Sequence, residues 1–200
     1  MRLLPKRAPA AILTPIVGAL AAIGVTPNMI SVGGLLGNVA AAALIARGEL
    51  VAGGIVMLLA SALDMLDGAL ARLTGKASRF GALLDSVFDR MSEAAVLFGV
   101  LLYALDRGND EQAALAFVAI VGSLLVSYVR ARAEGLGVTM TDGLFTRPER
   151  VVLLGLGLLV GWLRLVLWIL AVLTMLTAFQ RLYLGARALN ADDAATGGKP

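Results

Sequence analysis

Apolar segments long enough to cross a lipid bilayer as helices constrain the fold of this chain more than any other feature. A membrane-spanning helix needs about 20 residues, and six such segments are predicted near residues 28–46, 51–73, 80–105, 112–135, 148–163 and 165–188. Because 59% of the residues are hydrophobic and only 16% are charged, the chain is not expected to fold as a soluble domain. The sequence therefore predicts an all-α, polytopic membrane protein with six transmembrane helices, in one membrane domain over residues 1–189.

The two ends of the chain lie outside these segments. Residues 1–25 join a basic start to an apolar run, which is compatible with a signal peptide. The favoured interpretation is a juxtamembrane amphipathic helix at the membrane interface, with Arg2, Lys6 and Arg7 near anionic headgroups. The polar residues 190–200 are expected to form a disordered tail.

Basic residues are distributed unevenly over the predicted loops and termini. One side of the membrane carries only Arg47, Arg107 and Arg164. The other side carries Arg2, Lys6, Arg7, Arg72, Lys76, Arg79, Arg130, Arg132, Arg147, Arg150, Arg181, Arg187 and Lys199. Because positive charge is enriched on the cytoplasmic side, both termini are predicted to be cytoplasmic in the cell membrane.

Four aspartates lie within the second and third apolar segments at helical spacing. Asp64 and Asp67 are three residues apart, and Asp85 and Asp89 are four apart, so each pair projects from one helix face. If the two helices are antiparallel neighbours, all four carboxylates converge. A carboxylate in hydrocarbon costs at least a few kcal/mol and is a functional residue by default.

A bound divalent cation is the simplest counter-charge for these aspartates. The chain contains no cysteine and no histidine, so thiolate and imidazole ligands are excluded. Carboxylate oxygens suit Mg²⁺ or Mn²⁺, and one or two ions are expected to bridge a diphosphate. Gly68 and Gly81 permit close approach of a helix or ligand, and Arg72 is placed to face a phosphate.

Two other interpretations of the aspartates remain open at this point. The carboxylates could be paired structurally with Arg72, Arg79 and Arg90. A cation-coupled transporter would also bury carboxylates in its membrane domain. Against a transporter, the sequence shows no internal repeat and no interrupted helix at the midplane.

The full pattern around the aspartates resembles the signature of the CDP-alcohol phosphotransferases. It reads Asp64-x₂-Asp67-Gly68-x₂-Ala71-Arg72-x₈-Gly81-x₃-Asp85-x₃-Asp89. That family transfers a phosphatidyl-type group from a CDP-linked lipid to an alcohol and releases CMP. The six predicted spans also fit the family, so the resemblance extends over nearly the whole chain.

The resemblance implies a role for each matching residue. Asp64, Asp67 and Asp85 would be metal ligands, and Asp89 would be the catalytic general base that also touches a metal. The short segment Thr26-Pro27-Asn28 resembles the family segment that closes over the nucleotide, although a helix-capping turn explains it equally well. The residues implied for the CDP-lipid site are Asn28, Asp64, Asp67, Gly68, Ala71, Arg72, Ser78 and Gly81.

The acceptor alcohol depends on a second group of residues. Arg130, Arg150 and Arg181 could surround a phosphomonoester, which accepts bidentate hydrogen bonds from arginine. The alternative is that they are ordinary basic flanks of membrane helices, an explanation that applies most strongly to Arg132, Arg147 and Arg187.

The motifs that carry these arginines, SYVRARAE, RPER and QR, resemble the phosphatidylinositol-phosphate synthase branch, bacterial or archaeal. That branch joins CDP-diacylglycerol or CDP-archaeol to inositol 1-phosphate. The glycerol 3-phosphate branch also uses a phosphorylated acceptor and stays open. The implied partners are the CDP-linked lipid, a phosphorylated polyol, the bilayer and a second copy in a homodimer, with no nucleic acid.

Overall fold

The computed structural model describes residues 10–140, 143 and 145–196, and all the regular structure within them is α-helical. The predicted all-α fold is therefore confirmed. Each of the six predicted segments is a helix, with ends within three residues of the prediction except at the end of the last one. The helices are α1 (Ala10–Ala22), α2 (Pro27–Ala46), α3 (Leu50–Leu73), α4 (Arg79–Asp106), α5 (Asp110–Gly135), α6 (Arg147–Val160) and α7 (Leu163–Thr196).

The two ends of the chain differ in how far the predictions can be compared with the structure. Residues 190–196, predicted to belong to a disordered tail, continue α7 to Thr196. Helix α1 lies within the N-terminal segment, and its Val17 is buried in a cluster with Leu66 and Leu70 of α3. Residues 1–9, with the basic side chains expected at the interface, and residues 197–200 lie outside the described residues.

Helix length and surface composition identify a membrane protein. Of the described helices, α2, α3, α5 and the Leu163–Ala191 part of α7 are long and apolar enough to cross a bilayer. Helix α4 has 28 residues but carries charges in its first half, and α6 has only 14 residues. Large apolar side chains such as Leu36, Leu59 and Phe117 are exposed on the outer surface, where lipid would cover them.

The six longer helices pack in a ring. Contacts between neighbours follow the order α2, α3, α6, α7, α5, α4 and back to α2. Each helix contributes side chains to one buried apolar core, among them Ile45, Met57, Val100, Leu158 and Leu167. Close packing of α2 and α4 depends on Gly99, because a Cβ there would collide with the backbone of Ala42.

Helix α2 lies between the two helices that carry the aspartates. Helices α3 and α4 each pack along α2 rather than along each other, so the condition under which all four carboxylates would converge, direct packing of α3 on α4, is not met. The Asp64 carboxylate of α3 lies against Gly34 of α2, where any Cβ would overlap with it. Because the residue at this point of α2 is glycine, the Asp64 carboxylate can lie directly against the α2 backbone.

Candidate active site

A cavity of about 240 Å³ opens at the end of the bundle where α2 and α4 begin and α3 finishes. Its lining includes the carboxylates of Asp67 and Asp85, the cations of Arg72 and Lys76, and several small residues. Of the eight residues implied for the CDP-lipid site, seven line this cavity: Asn28, Asp67, Gly68, Ala71, Arg72, Ser78 and Gly81. The eighth, Asp64, lies outside its lining.

Two helix caps shape the rim of the cavity. The backbone N–H of Met29 donates to Thr26 Oγ1 at 3.3 Å, and Pro27 occupies the first helical position of α2. Residues 26–28 are therefore a capping turn, and the same turn places Asn28 on the cavity wall. The Ser78 hydroxyl caps α4 in the same way by accepting from Gly81 N at 3.0 Å.

The Asp67 carboxylate is held in a fixed orientation at the base of the cavity. It is 6% exposed and accepts hydrogen bonds from the Ser31 hydroxyl, at 2.6 Å, and from the backbone N–H of Gly68. A Cβ on Gly68 would lie 3.4 Å from the Arg72 guanidinium, so the glycine leaves room beside that cation. Ser31 was not predicted as a site residue, because a lone serine in an apolar helix carries no distinctive pattern.

The other two aspartates share one arginine. Arg147, the first residue of α6, places Nη2 3.2 Å from Asp64 Oδ2 and Nη1 2.6 Å from Asp89 Oδ1. Its guanidinium therefore bridges α3 to α4 across the interior of the ring. Sequence reasoning treated Arg147 as an ordinary basic flank, and this was its main omission. The available signal was the position of Arg147 at the start of a helix that begins at the aspartate end.

A second carboxylate–arginine pair lies one turn deeper. Glu93 of α4 accepts from Arg150 Nε at 2.6 Å and from Nη2 at 2.8 Å, and also from the Ser123 hydroxyl at 2.9 Å. Arg150 Nη1 donates to the Phe145 carbonyl at 3.1 Å. Sequence reasoning missed Glu93, although it continues the four-residue spacing of the aspartates on α4.

The three arginines predicted to bind the acceptor contact three different protein groups. Arg130 is exposed and pairs with Glu134 at 2.8 Å, whereas Arg150 is buried against Glu93. Arg181 is 5% exposed, and its Nη1 donates to the Val126 carbonyl at 2.8 Å. Each arginine thus has a protein partner in this structure, and their joint role in binding one anion stays a prediction.

The acidic side chains form two neighbouring pairs rather than one cluster. Asp64 and Asp89 meet at Arg147, while Asp67 and Asp85 line the cavity. Within residues 10–140, 143 and 145–196, no three acidic side chains are gathered into a metal-binding group. The donor set still fits Mg²⁺ or Mn²⁺, because all its atoms are hard carboxylate oxygens and a cationic guanidinium already lies between two of them.

Comparison with protein families and characterised proteins identifies consistent relatives. Residues 24–180 match the family described as CDP-alcohol phosphatidyltransferase. The archaetidylinositol phosphate synthase of Pyrococcus horikoshii is 38% identical over 165 residues, which cover 82% of this chain and 85% of that protein. The phosphatidylinositol phosphate synthase of Mycobacterium tuberculosis is 39% identical over 191 residues, which cover 90% of this chain and 88% of the relative.

Solved structures of one of these relatives have the same fold as this chain. The crystal structure of the M. tuberculosis phosphatidylinositol phosphate synthase with CDP-DAG bound aligns with a TM-score of 0.83 at 36% identity, covering 88% of this chain and 94% of the other. The structure of that synthase in complex with manganese and citrate aligns with a TM-score of 0.80 at 35% identity. That alignment covers 86% of this chain and 88% of the other.

Proposed function

This chain belongs to the CDP-alcohol phosphatidyltransferase family and is a transferase, and from that premise we propose that it makes phosphatidylinositol phosphate. It transfers a phosphatidyl group from CDP-diacylglycerol, or the equivalent group from CDP-archaeol, to inositol 1-phosphate and releases CMP. The observation that carries the proposal is a cavity lined by six of the eight residues of the family signature: Asp67, Gly68, Ala71, Arg72, Gly81 and Asp85. Two relatives of similar identity are named for this reaction with the two kinds of lipid, which supports the acceptor.

The cavity is the proposed donor site. Its small residues, Gly68, Ala71 and Gly81, leave space for the cytidine, and Arg72 and Lys76 pair with the diphosphate. The proposed ligands of one or two Mg²⁺ or Mn²⁺ ions are Asp64, Asp67, Asp85 and Asp89. When bound, such an ion would neutralise charge on the diphosphate and on the departing CMP. A relative's structure in complex with manganese supports the choice of metal.

Asp89 is the proposed general base. The hydroxyl oxygen of the acceptor attacks the β-phosphorus, the bond between that phosphorus and the CMP oxygen breaks, and Asp89 takes the hydroxyl proton. The Asp89 side chain is 28% exposed, which leaves it open to an incoming hydroxyl. Asp67, by contrast, is held by Ser31 and is better suited to a fixed ligand role.

The acceptor phosphate is proposed to bind the arginines beyond Asp89. Arg130 lies near the end of α5 and Arg181 is buried on α7, which packs against α5. Binding would require Arg130 to exchange Glu134 for the phosphate. Arg150 remains a candidate, but its pairing with Glu93 favours a supporting role beneath the site.

The membrane arrangement completes the proposal. Helices α2 to α7 all cross the bilayer, and the short α6 packs against α3 and α7. The aspartate end faces the cytoplasm, because Arg72, Lys76 and Arg79 lie there while Arg107 and Arg164 lie at the opposite end. Helix α1 lies at the interface, both termini are cytoplasmic, and two copies form a homodimer.

A panel of acceptors tests the proposed reaction. The purified protein in lipid vesicles receives CDP-diacylglycerol, Mg²⁺ and, in separate reactions, inositol 1-phosphate, glycerol 3-phosphate, serine or free inositol. We expect CMP release and lipid-soluble product with inositol 1-phosphate. A faster reaction with glycerol 3-phosphate would reassign the acceptor, and no CMP release with any acceptor would contradict the proposal. The Asp89→Asn variant measures the background.

A further inference from the structure

Arg147 contacts the two aspartates that do not line the donor cavity. Its two terminal nitrogens reach different carboxylates on different helices, Asp64 on α3 and Asp89 on α4. A planar guanidinium can donate in this forked way, whereas an ammonium concentrates its charge at one point. One side chain therefore sets the separation and orientation of two carboxylates whose helices do not pack along each other.

In the described part of the chain, Asp64 and Asp89 are the carboxylates that the Arg147 guanidinium contacts directly. Its side chain is 24% exposed, and within the described part of the chain its Nε makes no hydrogen bond. Arg147 also lines a cavity of about 20 Å³ together with Ser92, whose hydroxyl likewise has no partner among the described residues. The partial exposure of the side chain and its unused donor distinguish Arg147 from a fully bonded, buried arginine.

The contacts of Arg147 use oxygens that a metal ion would need. Asp64 Oδ2 and Asp89 Oδ1 both accept from the guanidinium. A divalent cation bound at the same oxygens would overlap sterically with the guanidinium and would repel it electrostatically. The two cations are therefore expected to compete for these two oxygens.

From these contacts we propose that Arg147 is a positioning residue: it is the internal counter-cation of Asp64 and Asp89, and a divalent cation displaces it. The inference rests on the proposed function, in which those aspartates bind the metal. Arg147 keeps the two carboxylates paired and correctly spaced when metal is absent. When the doubly charged metal ion binds these carboxylates, it displaces the Arg147 guanidinium.

Binding of Mn²⁺ alone tests the competition without any transferase reaction. Free Mn²⁺ is measured by electron paramagnetic resonance during titration of the full-length protein in detergent. We expect Arg147→Gln to raise Mn²⁺ affinity by about tenfold, because it removes the guanidinium that competes for both carboxylates. Arg147→Lys should raise it less, since the ammonium keeps the charge but cannot bridge both carboxylates. Unchanged affinity in Arg147→Gln would overturn the proposal.

Matched measurements separate this role from simple charge or folding effects. Arg132→Gln removes an exposed arginine at the same end of the molecule and should leave Mn²⁺ affinity within about twofold of wild type. Thermal unfolding gives a second readout: Arg147→Gln should lower the melting temperature without Mn²⁺ and gain more from added Mn²⁺ than wild type. An equal loss with and without Mn²⁺ would mean a structural role only and would contradict the proposal.

Failure of the inference and failure of the proposed function give different results. If wild type binds Mn²⁺ and Asp85→Asn weakens that binding, the metal site stands whatever the Arg147 variants do. If neither wild type nor any variant binds Mn²⁺, the metal site itself is contradicted. Should Arg147→Gln fail to fold, the Arg147→Lys titration still measures the competition.

Discussion

Two carboxylate–arginine contacts cross the interior of the helix ring one turn apart, and they differ in kind. Arg150 and Glu93 are 3% and 9% exposed, form two hydrogen bonds with each other, and have further partners in Phe145 and Ser123. Arg147 is 24% exposed and divides its donors between two aspartates. The buried Arg150–Glu93 pair, with all its partners in place, is suited to holding α4 and α6 together. The partly exposed contact of Arg147 with two aspartates is suited to exchange of the guanidinium for another cation.

Replacing a carboxylate by its amide is expected to have different effects at adjacent turns of α4: loss of activity at Asp89 and loss of stability at Glu93. Asp89→Asn should reduce transferase turnover by about 10³-fold, because an amide cannot take the acceptor proton. Binding of the CDP-lipid and the melting temperature should change little, since Asp67 and the cavity lining stay in place. Turnover is measured as CMP release, and donor binding by titration calorimetry. Retained turnover would exclude Asp89 as the base.

Glu93→Gln is the matched change one turn deeper. It leaves the buried Arg150 without its counter-charge, and breaking such a pair costs about 3 kcal/mol or more. The measurement is thermal or denaturant unfolding in detergent. A Glu93→Gln protein as stable as wild type would remove the distinction between the two contacts, and a loss of activity without loss of stability would place Glu93 in the chemistry instead.

The sequence predicted the two sides of the site unequally. The donor side depends largely on residues close together on α3, so their spacing alone places Gly68 and Arg72, four residues apart, on one helix face next to Asp67. Helix limits were also predictable, because apolar run lengths and capping residues such as Ser78 are local properties. Local sequence patterns therefore predict most of the helix limits and most of the residues that line the donor cavity.

The arginine side depends on ring order, which is not local. That α6 meets α3 while α2 separates α3 from α4 follows from packing of the whole bundle. Arg147 and Arg150 are three residues apart, and only the position of Arg147 at the first residue of α6 indicates which of them reaches the aspartates. The true extent of α7 was missed for another reason, since alanines at 191, 194 and 195 favour helix despite the polar composition around them.

Arg181 offers a third kind of contact, between an arginine and a backbone carbonyl. The Arg181 guanidinium donates to the neutral Val126 carbonyl, and in the proposed function it also binds the acceptor phosphate. Arg181→Ala should raise the KM for the phosphorylated acceptor by about tenfold, the effect expected for loss of one charge-assisted hydrogen bond. The KM for the CDP-lipid should change much less. Steady-state kinetics with each substrate varied in turn give both values.

Two controls accompany the Arg181 measurement. Arg187→Ala removes an exposed arginine from the same helix and should leave both KM values close to wild type. The melting temperature of Arg181→Ala shows how much of the effect comes from loss of packing against Gly143, where the guanidinium lies very close to the backbone. Equal increases in both KM values would argue against a dedicated acceptor residue.

The opposite end of the bundle carries an ion pair that serves as the reference for both contacts. Arg164 donates to Glu111 with Nε at 3.0 Å and Nη2 at 3.1 Å, and Trp168 Nε1 donates to the same carboxylate at 2.8 Å. Because this pair is solvent-exposed, water and salt screen it. Glu111→Gln should therefore leave turnover unchanged and shift the melting temperature least of all the variants. A turnover loss comparable to that of Asp89→Asn would show that removing a carboxylate anywhere on the bundle impairs the enzyme, and the contrast between Arg147 and Arg150 would then lose its basis.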